Sequence, residues 1–454
     1  MSIQSVNPAN NQVIKQFSEA TDSEVKQALQ SADKAFRHWR RTSFTERAEK
    51  MIKAAELFER DIEHHAHLMT LEMGKTKREA RSEIEKCASC CRYYAEHAEQ
   101  FLKDESLKVS EGRAFINYNP IGAVLAVMPW NFPYWQVIRF AAPNLMAGNV
   151  GILKHASSVP QVSMALAEVF SEAGFPDGAF QSLLISGKKT SMLIEDNTIK
   201  AATLTGSEKA GASVAALSGK HLKKTVLELG GSDPFVVLND ADLDKAVENA
   251  VKSRMVNNGQ SCIAAKRFII EEGIFDDFSD KFVAKMKSLK IGDPTNDEND
   301  YGPMAAESLA EELQEQVNKS VKAGATVLLG GDRPKGEGAY FNPTVLTNIA
   351  NDSPAYKEEL FGPVASLFKV ATEKDAIKLA NDSRFGLGGS VWTQDSKKGT
   401  AVARQIESGA VYVNRMMASD PAVPFGGIKV SGYGRELSHL GIREFTNQQT
   451  IWVD

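Results

Sequence analysis

Between residues 124 and 289, short apolar runs alternate with stretches of helical spacing, and this restricts the fold more than any other feature of the chain. Strands are expected at 124–128, 151–153, 181–185, 201–204, 235–238 and 268–270. Between them, helical patterns begin near Tyr134, run over 159–173 and 189–196, begin again at Glu208, continue through Val247, Ala250, Val251 and Met255, and fill 275–289. Such a rhythm builds a doubly wound α/β sheet of mostly parallel strands with helices on both faces. No GxGxxG opens the first unit, so an ordinary dinucleotide-binding fold is not expected. Gly187-Lys188-Lys189-Thr190 imitates the tail of a phosphate loop, but the first glycine of that pattern falls on Ser182, which rejects it.

A chain of 454 residues exceeds one ordinary domain, so two or three are expected. Residues 1–20 read as a strand-and-turn lead-in. Thr21 and Glu24 form a capping box, and a helix follows through Val25, Ala28, Leu29, Ala32 and Phe36. Helical patterning fills 45–102. It contains Cys87-x-x-Cys90-Cys91, where a metal site lacks a fourth ligand and buried helix-face residues are expected instead. It also contains the run from Glu63 to His67, expected to be a solvated helix face. Residues 106–128 read as strands with a hairpin turn at Ser110-Glu111-Gly112, either an oligomerisation element or a hairpin capping its own subunit. Residues 449–453 can pair as an edge strand, and 309–322 read as a long amphipathic helix.

The chemistry-bearing residues sit at the joints of this pattern. Glu228 lies in a Gly-flanked turn, Glu228-Leu229-Gly230-Gly231, and Cys262 closes the tight Gly259-Gln260-Ser261-Cys262 loop. A carboxylate and a thiol on opposite sides of one strand–helix unit suggest covalent thiol chemistry with a nearby base. Two prolines clamp Pro129-Trp130-Asn131-Phe132-Pro133 at the end of an apolar strand, where α/β sheets hold ligands. The Asn131 amide there can donate to an oxyanion, or simply satisfy its own turn. Trp135 and Arg139 are four apart on one helix face. Thr205-Gly206-Ser207 before a helix offers an anion seat, and the acidic turn Glu358-Glu359-Leu360-Phe361-Gly362-Pro363 presents a carboxylate. Residues 421–427 and 431–434 make a Gly-rich, irregular end.

A net charge of −5 with both signs interspersed gives no case for nucleic acid or an anionic membrane. No apolar run reaches the roughly 18 residues of a spanning helix, and the N-terminus has no secretory pattern. The four cysteines do not form a disulfide framework, so a cytoplasmic protein is expected.

PWNFP, TGS before a helix, LELGG, GQSC and EELFGPV follow one another in the order and spacing of the aldehyde dehydrogenase superfamily, and the resemblance covers essentially the whole chain. LELGGSDPFVVLNDADL, KHASSVPQ and the short N-terminus resemble the short bacterial succinate-semialdehyde dehydrogenases. The resemblance implies two doubly wound α/β domains without the glycine fingerprint, plus a β-hairpin oligomerisation element. It places a cofactor-binding domain at 1–105 and 129–226, a catalytic domain at 227–428, and the oligomerisation element at 106–128 and 429–454. It implies Cys262 as nucleophile, Asn131 with the Cys262 N–H as oxyanion hole, and Glu228 as the base that activates water. Glu359 and Phe361 match the residues that hold the nicotinamide ribose and ring. Lys154 matches the lysine at the adenosine ribose and Ser207 the pyrophosphate contact, while Trp130, Gly206 and Leu229 complete the cofactor groove.

Many NAD-preferring members carry glutamate three positions beyond that lysine; here it is Ser157. Loss of a carboxylate removes its repulsion of a 2′-phosphate, so NADP is expected to be preferred and NAD accepted. For a semialdehyde acid, Arg139, Trp135 and Ser419 are the expected substrate contacts, with a structural salt bridge at Arg139 as the alternative. The expected partners are a small aldehyde and further copies of the chain, as a homodimer or homotetramer, with no metal. A coenzyme A-acylating relative is disfavoured by Glu228. A catalytically silent one is disfavoured by the full set of Cys262, Glu228, Asn131 and Glu359. A cysteine hydrolase lacks a histidine in a comparable turn.

Overall fold

The structure is a computed structural model and describes residues 3–454. Two α/β sheets dominate it. The first has six strands in the order Gly432–Tyr433, Lys224–Glu228, Ile199–Thr205, Ala123–Met128, Val150–His155 and Phe180–Ser182. All are parallel except the short first one. The chain winds outward from Ala123–Met128 to Phe180–Ser182, then returns to Ile199–Thr205 on the other side of its starting strand. This reversal opens a crevice at the carboxyl ends of Ala123–Met128 and Ile199–Thr205, where neighbouring connections leave in opposite directions.

The second sheet has seven strands, Thr326–Leu329, Thr344–Thr347, Val364–Val370, Ala265–Glu271, Asp233–Val237, Ser390–Trp392 and Tyr412–Val413, with only Thr326–Leu329 antiparallel. Every residue of Asp233–Val237 and Ala265–Glu271 is buried, as expected for parallel strands covered on both faces. Helix Trp135–Met146, also buried throughout despite Pro143 inside it, follows directly on the Pro129–Pro133 turn and carries Trp135, Gln136 and Arg139.

The capping box forms as expected: Glu24 N–H donates to Thr21 Oγ1 at 3.2 Å and Thr21 N–H to Glu24 Oε2 at 2.7 Å, opening helix Asp22–Trp39. Cys87, Cys90 and Cys91 are buried in the core on helix Lys77–Phe101, and among the described residues no His/Cys/Asp/Glu group is arranged to hold a metal. The run expected to be a solvated face is not uniformly so. His65 is buried, its Nδ1 2.8 Å from the Tyr134 hydroxyl, and burial pushes its imidazole down to about 4, so it is neutral. Helix Ile62–Met73 packs His65 and Ala66 inward, which charge density along the sequence conceals.

The boundaries of the hairpin segment need correction. Glu105–Leu107 and Arg113–Pro120 pair as a hairpin, and Thr446–Val453 adds antiparallel along the whole of Arg113–Pro120. Ala123–Met128, assigned above to the same segment, is instead one of the two central strands of the six-stranded sheet. Its unbroken apolar run suits burial on both faces, whereas Arg113–Pro120 keeps partly exposed positions. Gly432–Tyr433 also belongs to the six-stranded sheet, as does Glu228, which ends Lys224–Glu228 two residues past the expected boundary at 226. No helix of the described residues is long and apolar enough to cross a membrane.

Candidate active site

Two cavities meet at Cys262. One, of about 340 Å³, occupies the crevice of the six-stranded sheet and is lined by Pro129, Trp130, Asn131, Thr205, Gly206, Ser207, Leu229, Gly230, Glu359 and Phe361. The other, of about 370 Å³, lies between helices Lys77–Phe101 and Trp135–Met146 and the segment from Met416 to Ser419, and is lined by Glu83, Lys86, Phe132, Trp135, Arg139 and Phe425 among others. Cys262 and Gln136 line both.

The Cys262 loop is pinned by buried side chains. Asn257, Asn258 and Gly259 take successive left-handed conformations at φ 56°, 57° and 76°, which asparagine and glycine adopt with least strain. A Cβ at Gly259 would stand 2.4 Å from the Gly362 carbonyl, so this glycine is required by close approach as well. Asn257 Nδ2 donates to the carbonyls of Asn131 and Gln260, and Asn131 Nδ2 donates to Gln260 O at 3.0 Å. Gln136 Nε2 donates to Asn131 Oδ1 at 3.1 Å and so orients the amide. Asn131 is therefore tied to the carbonyl two residues before Cys262.

Lys266, absent from the expected site, holds the other side of the loop. Its buried ammonium donates to the carbonyls of Ser261 and Cys262, each at 2.9 Å, and Ala264 at 3.2 Å, and pairs with Glu359 at 3.2 Å. Glu359 in turn accepts from Gly231 N–H at 3.1 Å. One lysine thus joins the thiol loop, the acidic turn and the glycine pair. Lys266→Met should deprive three carbonyls of their donor and leave a partly buried carboxylate without its counter-ion, at a cost of about 3 kcal/mol. A lowered urea midpoint checks this, and an unchanged midpoint would contradict it.

The ionisable groups are arranged for storage rather than immediate reaction. Burial pushes the half-buried Cys262 thiol up to about 12, with Arg139 pulling it down and Glu359 pushing it up, so the resting group is a thiol. Glu228 lines neither cavity. Its carboxyl turns towards Gly426, its two oxygens have no hydrogen-bond partner among the described residues, and burial followed by the Glu436 charge holds it far above the usual carboxylate range. In this conformation the Glu228 carboxyl occupies space beside Gly426 and lies outside the walls of both cavities. Arg139 does line the second cavity, but its Nε is ion-paired with the Glu436 carboxylate, its Nη2 donates to Thr205 Oγ1 at 3.2 Å, and its guanidinium stacks over Phe425 at 4.5 Å. The alternative of a structural salt bridge is the arrangement found.

The remaining expected residues fall in three places. Trp130 and Phe361 meet edge to face at 5.8 Å across the first cavity, and Ser207 caps helix Glu208–Lys220 by accepting from Ala210 N–H at 3.3 Å. Leu229 packs so closely on Gly211 that a Cβ there would stand 2.6 Å from a Leu229 methyl. Lys154 and Ser157 are not in the cavity wall; Lys154 pairs in register with Val127 near the carboxyl edge of the same sheet. Lys154 is half-buried, has no ion pair among the described residues, and is pushed down by burial, while Ser157 is exposed. Ser419 Oγ accepts from Lys86 Nζ at 2.8 Å and from Trp135 Nε1 at 3.0 Å.

Sequence reasoning missed Lys86, Gln136, His155, Lys266 and Glu436. The buried His155 donates from Nε2 to Pro133 O at 2.9 Å and accepts Ala156 N–H at Nδ1, fixing the proline-clamped turn. A lysine at the mouth of an apolar strand was the available signal for Lys266. Lys86 had none, since it sits in a helix rich in exposed charge.

A thiol between a sheet-edge crevice and a buried channel lets one face receive a cofactor and the other a small substrate. The chain belongs to the aldehyde dehydrogenase family, whose sequence profile matches residues 1–451. The expected class of two α/β domains with an added hairpin is the one found. Similar proteins include the NADP(+) succinate-semialdehyde dehydrogenase of Mycobacterium avium (strain 104), 52% identical over 457 residues spanning 100% of this chain and 97% of that protein. Its counterpart numbered 1 in Mycobacterium tuberculosis (strain ATCC 25618 / H37Rv) is 51% identical over 456 residues, spanning 100% of both. The crystal structure of succinic semialdehyde dehydrogenase from Streptococcus pyogenes in complex with NADP+ superposes with a TM-score of 0.98 at 38% identity, over 99% of each chain.

Proposed function

We propose that this protein oxidises succinate semialdehyde, or a similarly short carboxylated aldehyde, to the acid with NADP+ as oxidant. The observation that carries the proposal is the placement of Cys262 in the walls of both cavities. The crevice suits the cofactor: Ser207 caps a helix whose free N–H groups favour phosphate, and Lys154 on the same sheet edge is a half-buried cation without an ion pair among the described residues. Trp130, Gly206, Leu229, Glu359 and Phe361 line the same crevice and would hold the cofactor there. When bound, NADP+ supplies the acceptor for the aldehyde hydride.

The protein's own residues do the rest. Cys262 sulfur, after passing its proton to water, adds to the aldehyde carbon, and the resulting oxyanion is held by the Asn131 amide and the Cys262 N–H; one such donor is worth about 3 kcal/mol in a transition state. Loss of hydride leaves a thioester on Cys262. Glu228 takes a proton from water as the water oxygen attacks the thioester carbon, and the thiolate leaves with release of the acid. Copies of the chain are assigned to assemble as a homodimer or homotetramer through the hairpin and Thr446–Val453, where Trp452 is 58% exposed.

Initial rates with succinate semialdehyde test the assignment. NADP should give a higher kcat/KM than NAD, and Ser157→Glu should move the ratio towards NAD by about tenfold or more, since a carboxylate repels the 2′-phosphate. A wild-type advantage for NAD, or a ratio untouched by the substitution, contradicts the cofactor assignment. Equal rates on uncharged aldehydes retain the dehydrogenase and discard the substrate.

A further inference from the structure

Four acceptors compete for the three N–H groups of the Lys266 ammonium: the carbonyls of Ser261, Cys262 and Ala264, and Glu359 Oε1. The lysine is buried, so tightening one of these contacts loosens another. Glu359 spends Oε1 on Lys266 and on Gly231 N–H, while its Oε2 has no hydrogen-bond partner among the described residues. That oxygen lies against Gly230, where a Cβ would stand 2.5 Å from it, and both residues line the first cavity. An acceptor without a donor therefore faces the crevice. It belongs to the same carboxylate that shares the ammonium with the thiol loop.

The same charges reach the sulfur. After burial and Arg139, Glu359 is the next influence on the Cys262 thiol and raises its titration; Lys266 lowers it and Asp233 raises it. Burial pushes the Glu359 carboxyl up, and the Lys266 charge is the largest influence pulling it back. Arg254 holds the same loop differently. It donates to Gly259 O at 2.6 Å and Ala265 O at 2.9 Å, and hydrogen-bonds nothing in the crevice wall.

We propose that Lys266 is a positioning residue that seats Glu359 and Cys262 with one ammonium, and so passes occupancy of the crevice by a hydroxyl-bearing cofactor to the thiol. This rests on the cofactor reading above and adds the group that links cofactor to nucleophile. A cofactor hydroxyl donating to Glu359 Oε2 draws the carboxylate charge away from Lys266. The ammonium then leans towards the Ser261 and Cys262 carbonyls, and the thiol ionises more readily.

Alkylation of Cys262 by iodoacetamide reads this without turnover, since the other three cysteines are buried. The probe is 2′-phospho-ADP-ribose, which carries the ribose hydroxyls but neither a charged ring nor a hydride acceptor. With binding followed by calorimetry, saturating probe should speed alkylation of the wild type about fivefold and move its pH profile to lower pH. Lys266→Met should lose the acceleration. Because that variant is also destabilised, Glu359→Gln serves as a second, and should lose it with the ammonium in place. Lys266→Arg should keep part of it, and Arg254→Lys, which loosens the loop without touching Glu359, should keep it in full.

Acceleration that survives in Lys266→Met or in Glu359→Gln overturns the proposal, as does its absence in the wild type with the probe bound. Its loss in Arg254→Lys would make loop stiffness the cause, which overturns it too. A probe that does not bind the wild type overturns the cofactor reading itself, and this proposal with it.

Discussion

Cys262→Ala is expected to lower kcat/KM by about 10⁴-fold or more while leaving the fold intact, because no other nucleophile borders both cavities. Cys87, Cys90 and Cys91 cannot substitute: all are buried in the core, and burial raises each thiol further. The resting Cys262 is also protonated, so reaction requires its proton to leave before or during attack on the aldehyde. Circular dichroism should match the wild type, and a single-turnover assay should give no reduced cofactor. Measurable turnover by the alanine variant would remove covalent thiol catalysis from the proposed function.

Glu228→Gln is expected to separate the two halves of the reaction. Steady-state turnover should fall by about 10²- to 10⁴-fold, the usual contribution of a positioned base, while a burst close to one equivalent of reduced cofactor per site survives. The burst reports hydride loss, which needs no water; the slow phase reports hydrolysis, which does. In the conformation described, Glu228 is a buried acid held in its neutral form and lies outside the walls of both cavities, so it must ionise before it can act. Because its carboxyl titrates well above the ordinary range, the hydrolytic phase should quicken as pH rises and the base form fills. Wild-type turnover in the glutamine variant, or loss of the burst along with turnover, would assign Glu228 another role. Gly426 permits the stored position, since a Cβ there would stand 2.8 Å from Glu228 Oε1.

Much of the fold was legible because each local signal agreed with the global arrangement. Unbroken apolar runs such as 235–238 marked strands buried on both faces, and Thr21 with Glu24 marked a helix start whose hydrogen bonds are the ones found. The segment 106–128 misled because a hairpin and the first core strand follow each other with only Ile121 and Gly122 between them. Periodicity alone does not say which sheet a strand joins.

The sequence by itself determined the chemistry available: one thiol in a Gly-opened loop, an amide in a proline-clamped turn, a carboxylate after a buried strand, and Ser157 where a glutamate would repel a phosphate. These are properties of residue type and local turn geometry, which need few distant contacts. Only the tertiary structure decided which charges are free. Arg139 and Lys86 both reach the second cavity, yet one is neutralised by Glu436, 297 residues later in the chain, and the other has no ion pair among the described residues. Lys266 likewise became part of the site only when Glu359 folded against it. A buried charge is defined by its counter-ion, and the counter-ions here come from distant elements brought together by packing.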